Sequence, residues 1–217
     1  MKSRKFANSP WLDIWKTPSR AMRTIVDYDP SYGSVPVSTL LGFVWVVHFL
    51  QSVAAGKAFS APVSVVIALL CAFPVGYALL IVASWFACGV GKWFGGCGTF
   101  HTVRTAMGWG SVPNTVPGTV IWVILLCRYG RDAFLPGMPP VGNYVTPLTT
   151  LLAFAQSLFI IWSVVTRSHT LGSVHRFSPW KGLCTCIVAS IVEAVCGLLL
   201  IFLLGGIGTI LRHLSSR

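Results

Sequence analysis

Glu193 is the single acid inside the long apolar stretches of this 217-residue chain, so it is the first group to ask about. An ionised carboxylate in hydrocarbon is costly, and such a group must be neutral, paired or beside water. His48, in an earlier apolar stretch, is the natural partner by type, with Gln51 and Gln156 as further polar side chains. Counted from their helix starts, Glu193 and His48 lie at similar depths, so the sequence permits contact. One reading is a proton-linked or substrate site within a helix bundle. The other is a neutral Glu193 hydrogen-bonded to a neighbour and specifying helix pairing. One acid and one histidine make a poor relay, which favours the second.

The remaining candidates are weaker. Cys184 and Cys186 form a CxC near His169 and His175. Thiol ligands usually come in CxxC spacing, and an odd total of seven cysteines without such repeats argues against a zinc site or a disulfide framework. Inert thiols are expected, with S-palmitoylation left open for juxtamembrane cysteines where the host has the enzymes. The run Gly91 to Gly98 (GKWFGGCG) is glycine-rich but lacks the GK[ST] ending and preceding strand of a phosphate loop. No Ser-His-Asp pattern, HExxH, paired carboxylates or Walker sequence is present. The expectation is a protein with no enzymatic activity, cofactor or metal.

The elements that must position these residues are membrane helices. The chain is 54% hydrophobic and only 10% charged, with mean hydropathy +0.75. A water-facing surface needs roughly 25% charged residues, so much of this one must face lipid. Residues 35–53, 62–90, 144–166 and 183–204 contain one acid and no Lys or Arg, and each is long enough to cross a hydrocarbon core. A shorter third span is expected at 112–127, containing Pro113, Pro117 and Gly118 and closed by Arg128. The fold class is therefore all-α: a bundle of five transmembrane helices over 35–217. In the second span Pro74 and Gly76 predict a kink or tilt. Ala68, Ala72 and Gly76, then Ala83, Ala87 and Gly91, recur at spacing four and mark a helix-packing face, read as intramolecular ahead of a dimer seam. Residues 91–112 are more polar. Phe100, Val103 and Met107 recur there at helical spacing, with His101 and Arg104 on other faces, as in an interfacial helix.

Residues 1–34 form a separate amphipathic segment. Trp11, Ile14 and Trp15 share a helical face, and Thr17-Pro18 reads as the start of a second short helix carrying Met22, Ile25 and Val26, with Arg20 and Arg23 facing headgroups. The segment either lies in the interface or folds onto the bundle as a cap. It also places the first apolar run too far along for a cleavable signal peptide.

The net charge of +11 does not indicate nucleic acid, because the sixteen Lys and Arg are spread over all the connections and both ends without a dense cluster. With five spans, eleven of them fall on the side of the first segment and five on the other, so the positive-inside rule places the N-terminus in the cytoplasm and the C-terminus outside.

Several stretches together resemble the Yip1 domain family, in the compact form of its bacterial members. Pro10-Trp11-Leu12-Asp13-Ile14-Trp15-Lys16-Thr17-Pro18 is similar to the family's "PWxxIWxxP" opening, with Arg20 and Ile25 following. Gly91-Lys92-Trp93-Phe94-Gly95-Gly96-Cys97-Gly98-Thr99-Phe100, Val103-Arg104-Thr105-Ala106 and Trp109-Gly110-Ser111-Val112-Pro113 carry the centre, and Trp162-Ser163 and Phe177-Ser178-Pro179-Trp180 complete the order. The resemblance implies five membrane helices, a cytoplasmic N-terminus and no known enzymatic activity. Eukaryotic relatives act in vesicle traffic with Rab-type GTPases and with one another. This sequence lacks their long cytosolic N-terminal region and a "DLxGP" segment, so the Rab role is not transferred.

The motif residues Trp11, Trp15, Lys92, Trp93, Gly95, Gly96, Arg104, Trp109, Pro113 and Trp180 then fall on one cytoplasmic face. They suggest a membrane scaffold or adaptor whose partners are the bilayer, other membrane proteins or further copies of itself. The alternative is a small-solute or lipid transporter using Glu193 and His48. A bacterial cytoplasmic membrane is expected, or Golgi or endoplasmic reticulum in a eukaryote. Tags on the two termini, probed with a membrane-impermeant reagent, should react from opposite compartments; reaction from one compartment would contradict an odd number of crossings.

Overall fold

A computed structural model describes residues 9–136 and 147–215. Among them there are seven α-helices and no strand: α1 (Pro10–Lys16), α2 (Pro18–Tyr28), α3 (Ser34–Ser52), α4 (Ala61–Trp93), α5 (Phe100–Tyr129), α6 (Pro147–His175) and α7 (Pro179–Ser215). The last five are each long and apolar enough to cross a membrane. They run alternately up and down, α3 beside α4, α4 beside α7, α7 beside α6, α6 beside α5 and α5 beside α3, with α5 also packed across the bundle against α4. Both α1 and α2 lie at the end where α3, α5 and α7 begin.

The distribution of side chains is that of a protein dissolved in lipid. Leu69, Leu70, Phe73, Phe154, Leu158, Ile161 and Leu198 point outward, whereas Ser38, Ser64, Ser84, Ser111, Thr115, Ser163, Thr166 and Thr170 are buried between helices. Lipid tails draw no oily face inward, so cohesion comes from close backbone approach and interhelical hydrogen bonds. The tightest approach is α3 on α4. A Cβ on Gly42 would fall on the Ala72 carbonyl, and one on Gly76 would fall on the Ser38 carbonyl. Ala68 and Ala72 are wholly buried along the same seam. Ala68, Ala72 and Gly76 are thus packed within the chain. A second crossing joins α6 to α7, where Gly182 meets the Ser168 carbonyl and the backbone of Gly172.

Two element limits differ from the sequence expectation. Residues 91–112 are not a separate interfacial helix leading to a short third span. From Phe100 onward they are the first turns of α5, which runs unbroken through Pro113 and Pro117. Each proline leaves the carbonyl four residues earlier without its helical N–H, here Trp109 O and Pro113 O. Neighbouring carbonyls take additional bonds from hydroxyls: Ser163 Oγ donates to Gly110 O at 2.9 Å, Ser111 Oγ to Gly108 O at 2.6 Å and Thr115 Oγ1 to Ser111 O at 3.2 Å. Likewise α6 does not stop at Thr166 but continues past Arg167 to His175. Arg167 tucks its stem against Gly110, where a Cβ would meet Arg167 Cγ at 2.6 Å. The expected loop over 136–142, beyond Pro136, and the start of the fourth span at 144–146 lie outside the described residues.

At about 1.5 Å per residue, the 33 residues of α4 measure about 50 Å, well beyond a bilayer core, which calls for tilt around Pro74. Replacing Gly42 or Gly76 by Ala should destabilise the bundle by about 1–3 kcal/mol through overpacking against backbone. The same change at Gly89, which has nothing within 4 Å of a built Cβ, should be near neutral. Denaturation in mixed detergent micelles, followed by circular dichroism, measures the difference.

Candidate functional site at the capped end of the bundle

Trp109 organises this end. It is 1% exposed, its Nε1 donates to Tyr32 O at 3.0 Å, and its ring packs against Trp11 (centroids 4.8 Å) and lies parallel to Tyr32 (6.1 Å). Gly33 makes this possible: with φ +73° and no Cβ it lets the turn from α2 into α3 pass over the indole, where a side chain would collide with the ring. Thr105 Oγ1 donates to Pro30 O beneath the same turn, and Ser19 Oγ donates to His169 O at 3.3 Å. Ile14, Met22 and Ile25 are completely buried in one core with Val37, Val103, Ala106, Val112 and Leu171. Of the two sequence alternatives for the first segment, the structure adopts the cap.

Beside the cap, the glycine-rich run wraps a histidine. His175, 1% exposed, ends α6. Its Nδ1 accepts from Gly98 N–H at 3.2 Å, its carbonyl accepts from Cys97 N–H at 3.3 Å, and its ring stacks on Phe177 (centroids 5.1 Å, 3° between planes). Cβ atoms on Gly91 or Gly96 would enter the imidazole, and one on Gly98 would press within 3.0 Å of Nδ1. An acceptor role for Nδ1 puts the neutral ring's proton on Nε2, which is buried without a partner. These glycines are therefore steric requirements of a close approach. The sequence showed the glycines but not His175 as what they enclose.

Two helices end here with the same turn. At the end of α4, Gly96 N–H bonds Gly91 O at 2.9 Å with Gly95 at φ +82°. At the end of α6, Phe177 N–H bonds Gly172 O at 3.0 Å with Arg176 at φ +58°. Between α2, the 97–99 run with the start of α5, and the end of α6 opens a cleft of about 810 Å³, walled by Arg23, Asp27, Cys97, Thr99, Thr102 and Arg176, with Val26, Val174 and Phe177 as its apolar lining.

Other motif residues occupy distinct positions. Trp15 meets Phe159 edge-on at 6.2 Å. Arg104 donates to Tyr77 OH at 2.8 Å, with its guanidinium 5.4 Å from the centre of that ring. Pro113 is buried inside α5, whereas Lys92, Trp93 and Trp180 are exposed.

The polar residues expected within the bundle are not gathered. His48 Nε2 accepts from Trp122 Nε1 at 3.3 Å, Gln51 Nε2 donates to Ala133 O at 3.1 Å, and Gln156 bonds Asn114. Glu193 instead shares the α6–α7 seam with Arg167 and Cys186, within electrostatic reach of the arginine, whose Nε is buried without a hydrogen-bond partner. Similar depth did not imply similar direction around the helix.

A five-helix bundle of this composition, capped at one end, is a multi-pass integral membrane protein. The Yip1 domain model matches residues 12–205, nearly the whole chain, and the protein belongs to that family. No curated protein and no solved structure matches it. Truncating Trp109 to Ala should cost about 3–5 kcal/mol and release the cap. Limited proteolysis should then cut within residues 17–33 faster than in the unsubstituted protein.

Proposed function

We propose that this protein is a non-enzymatic membrane scaffold or adaptor of the Yip1 family that recruits membrane-protein partners, or further copies of itself, through its capped end. The Lys and Arg distribution supports assigning that end to the cytoplasm, and the family's compact style supports a bacterial cytoplasmic membrane. The observation that carries the reading is the way sequence-distant motifs converge. The opening helices, the glycine-rich run and the α6–α7 turn form one fixed platform rimmed by outward side chains, with Leu12, Trp93 and Trp180 at 68%, 77% and 78% exposure. Fixed platforms suit recognition, because ordering has been completed before a partner arrives.

A second reading, a small-solute or lipid transporter, draws on Glu193 within electrostatic reach of Arg167, since ionisable groups between membrane helices commonly mark a pathway. For that reading, Glu193→Gln should abolish flux in proteoliposomes; unchanged flux in a folded variant removes it. For the scaffold, photo-crosslinkers placed at Leu12 or Lys92 should give reproducible protein adducts in native membranes, while one at lipid-facing Leu70 should not. Absence of adducts from the platform, together with no self-association, would overturn the proposal.

A further inference from the structure

The cleft between α2, the 94–99 run and the end of α6 has the dimensions of a ligand site, since such pockets span roughly 300–1,000 Å³ and this one is about 810 Å³. Two guanidiniums stand on its walls, Arg23 from α2 and Arg176 from the end of α6, and neither has a hydrogen bond or ion pair among the described residues. Asp27 is the one acid in the lining, and it makes no salt bridge to either arginine. Thr99, Thr102 and Ser173 also line it, with the Thr102 and Ser173 hydroxyls donating to Thr99 O and Thr170 O, each at 3.0 Å. The beginning of α5 and the end of α6 border the cleft with opposite partial charges, so the net field comes from the side chains, two cations against one anion.

Arg176 carries the stronger indication. It occupies the left-handed position of its helix-ending turn, where a residue with a Cβ costs about 1–2 kcal/mol relative to glycine. The equivalent position at the end of α4, one wall away, is Gly95. The protein thus uses glycine for this turn where nothing is required of the side chain, and arginine where the side chain enters the cleft. Guanidinium groups bind phosphate oxygens through paired hydrogen bonds, a geometry that lysine does not reproduce.

We propose that the cleft binds a phosphate-bearing anion held between Arg23 and Arg176, beside the hydroxyl of Thr99. The inference goes beyond the adaptor reading and does not depend on it. The phosphate belongs either to a lipid headgroup or to a soluble molecule, and two arms separate these. The full chain is reconstituted in nanodiscs of neutral lipid and titrated with inorganic pyrophosphate, or reconstituted with increasing phosphatidic acid. Alkylation of Cys97, an exposed thiol in the cleft wall, is followed by mass spectrometry of its peptide.

The expected result is protection of Cys97 in one arm, which names the source. Arg23→Gln and Arg176→Gly should each weaken protection about tenfold, equivalent to about 1.4 kcal/mol. Asp27→Asn should strengthen it. Arg176→Gly is the decisive variant, because it relieves the turn and should leave the ligand-free protein at least as heat-stable as the original. No protection in either arm, or protection unchanged in both arginine variants, would overturn the proposal.

Discussion

Contact of backbone on backbone at Gly42 and Gly76 is the constraint from which the rest of the bundle follows. Each glycine faces a carbonyl of the opposite helix so closely that a single carbon would collide. In water an oily face would hold α3 against α4; in lipid that force is absent, and only dispersion over surfaces in direct contact replaces it. The same device recurs where Gly182 meets Ser168 and where Gly110 receives Arg167. Small residues set the helix spacings, and the spacings determine which hydroxyls reach which carbonyls.

The existence and number of the membrane helices were legible because a long run without charge has few alternatives to crossing hydrocarbon. Their limits were less so. Arg167 looks like a terminator on a one-dimensional reading, yet a neighbour accommodates it: the absent side chain of Gly110 makes room for the arginine stem. Such compensation is tertiary and leaves no local signature. The internal packing of Ala68, Ala72 and Gly76 was readable because spacing four maps onto one stripe of a helix.

At the capped end, the motif residues were visible while their reasons were not. Trp109 and the glycines of 91–98 stand out by type, but their counterparts, Tyr32, Gly33 and His175, lie far away in sequence. Conversely, Glu193 and His48 looked like a pair because depth along a helix can be counted, whereas azimuth cannot until packing is known. His48 turns toward Trp122, and Glu193 lies within electrostatic reach of Arg167. Membership of the Yip1 family fits this division, since the residues carrying the resemblance build the cap and the histidine wrap and leave the mid-membrane polar groups dispersed.

The cyclic neighbour order has a consequence for biosynthesis. Sequential helices α3 with α4, and α5 with α6, form hairpins that can insert as pairs while the chain emerges. By contrast α7, the last to leave the ribosome, must lodge between α4 and α6. Until it does, α4 and α6 lack the neighbour that α7 supplies, and the bundle stands open along one side. Closure is therefore the last step of assembly, and a chain truncated before Pro179 would present an unsealed groove to membrane quality control.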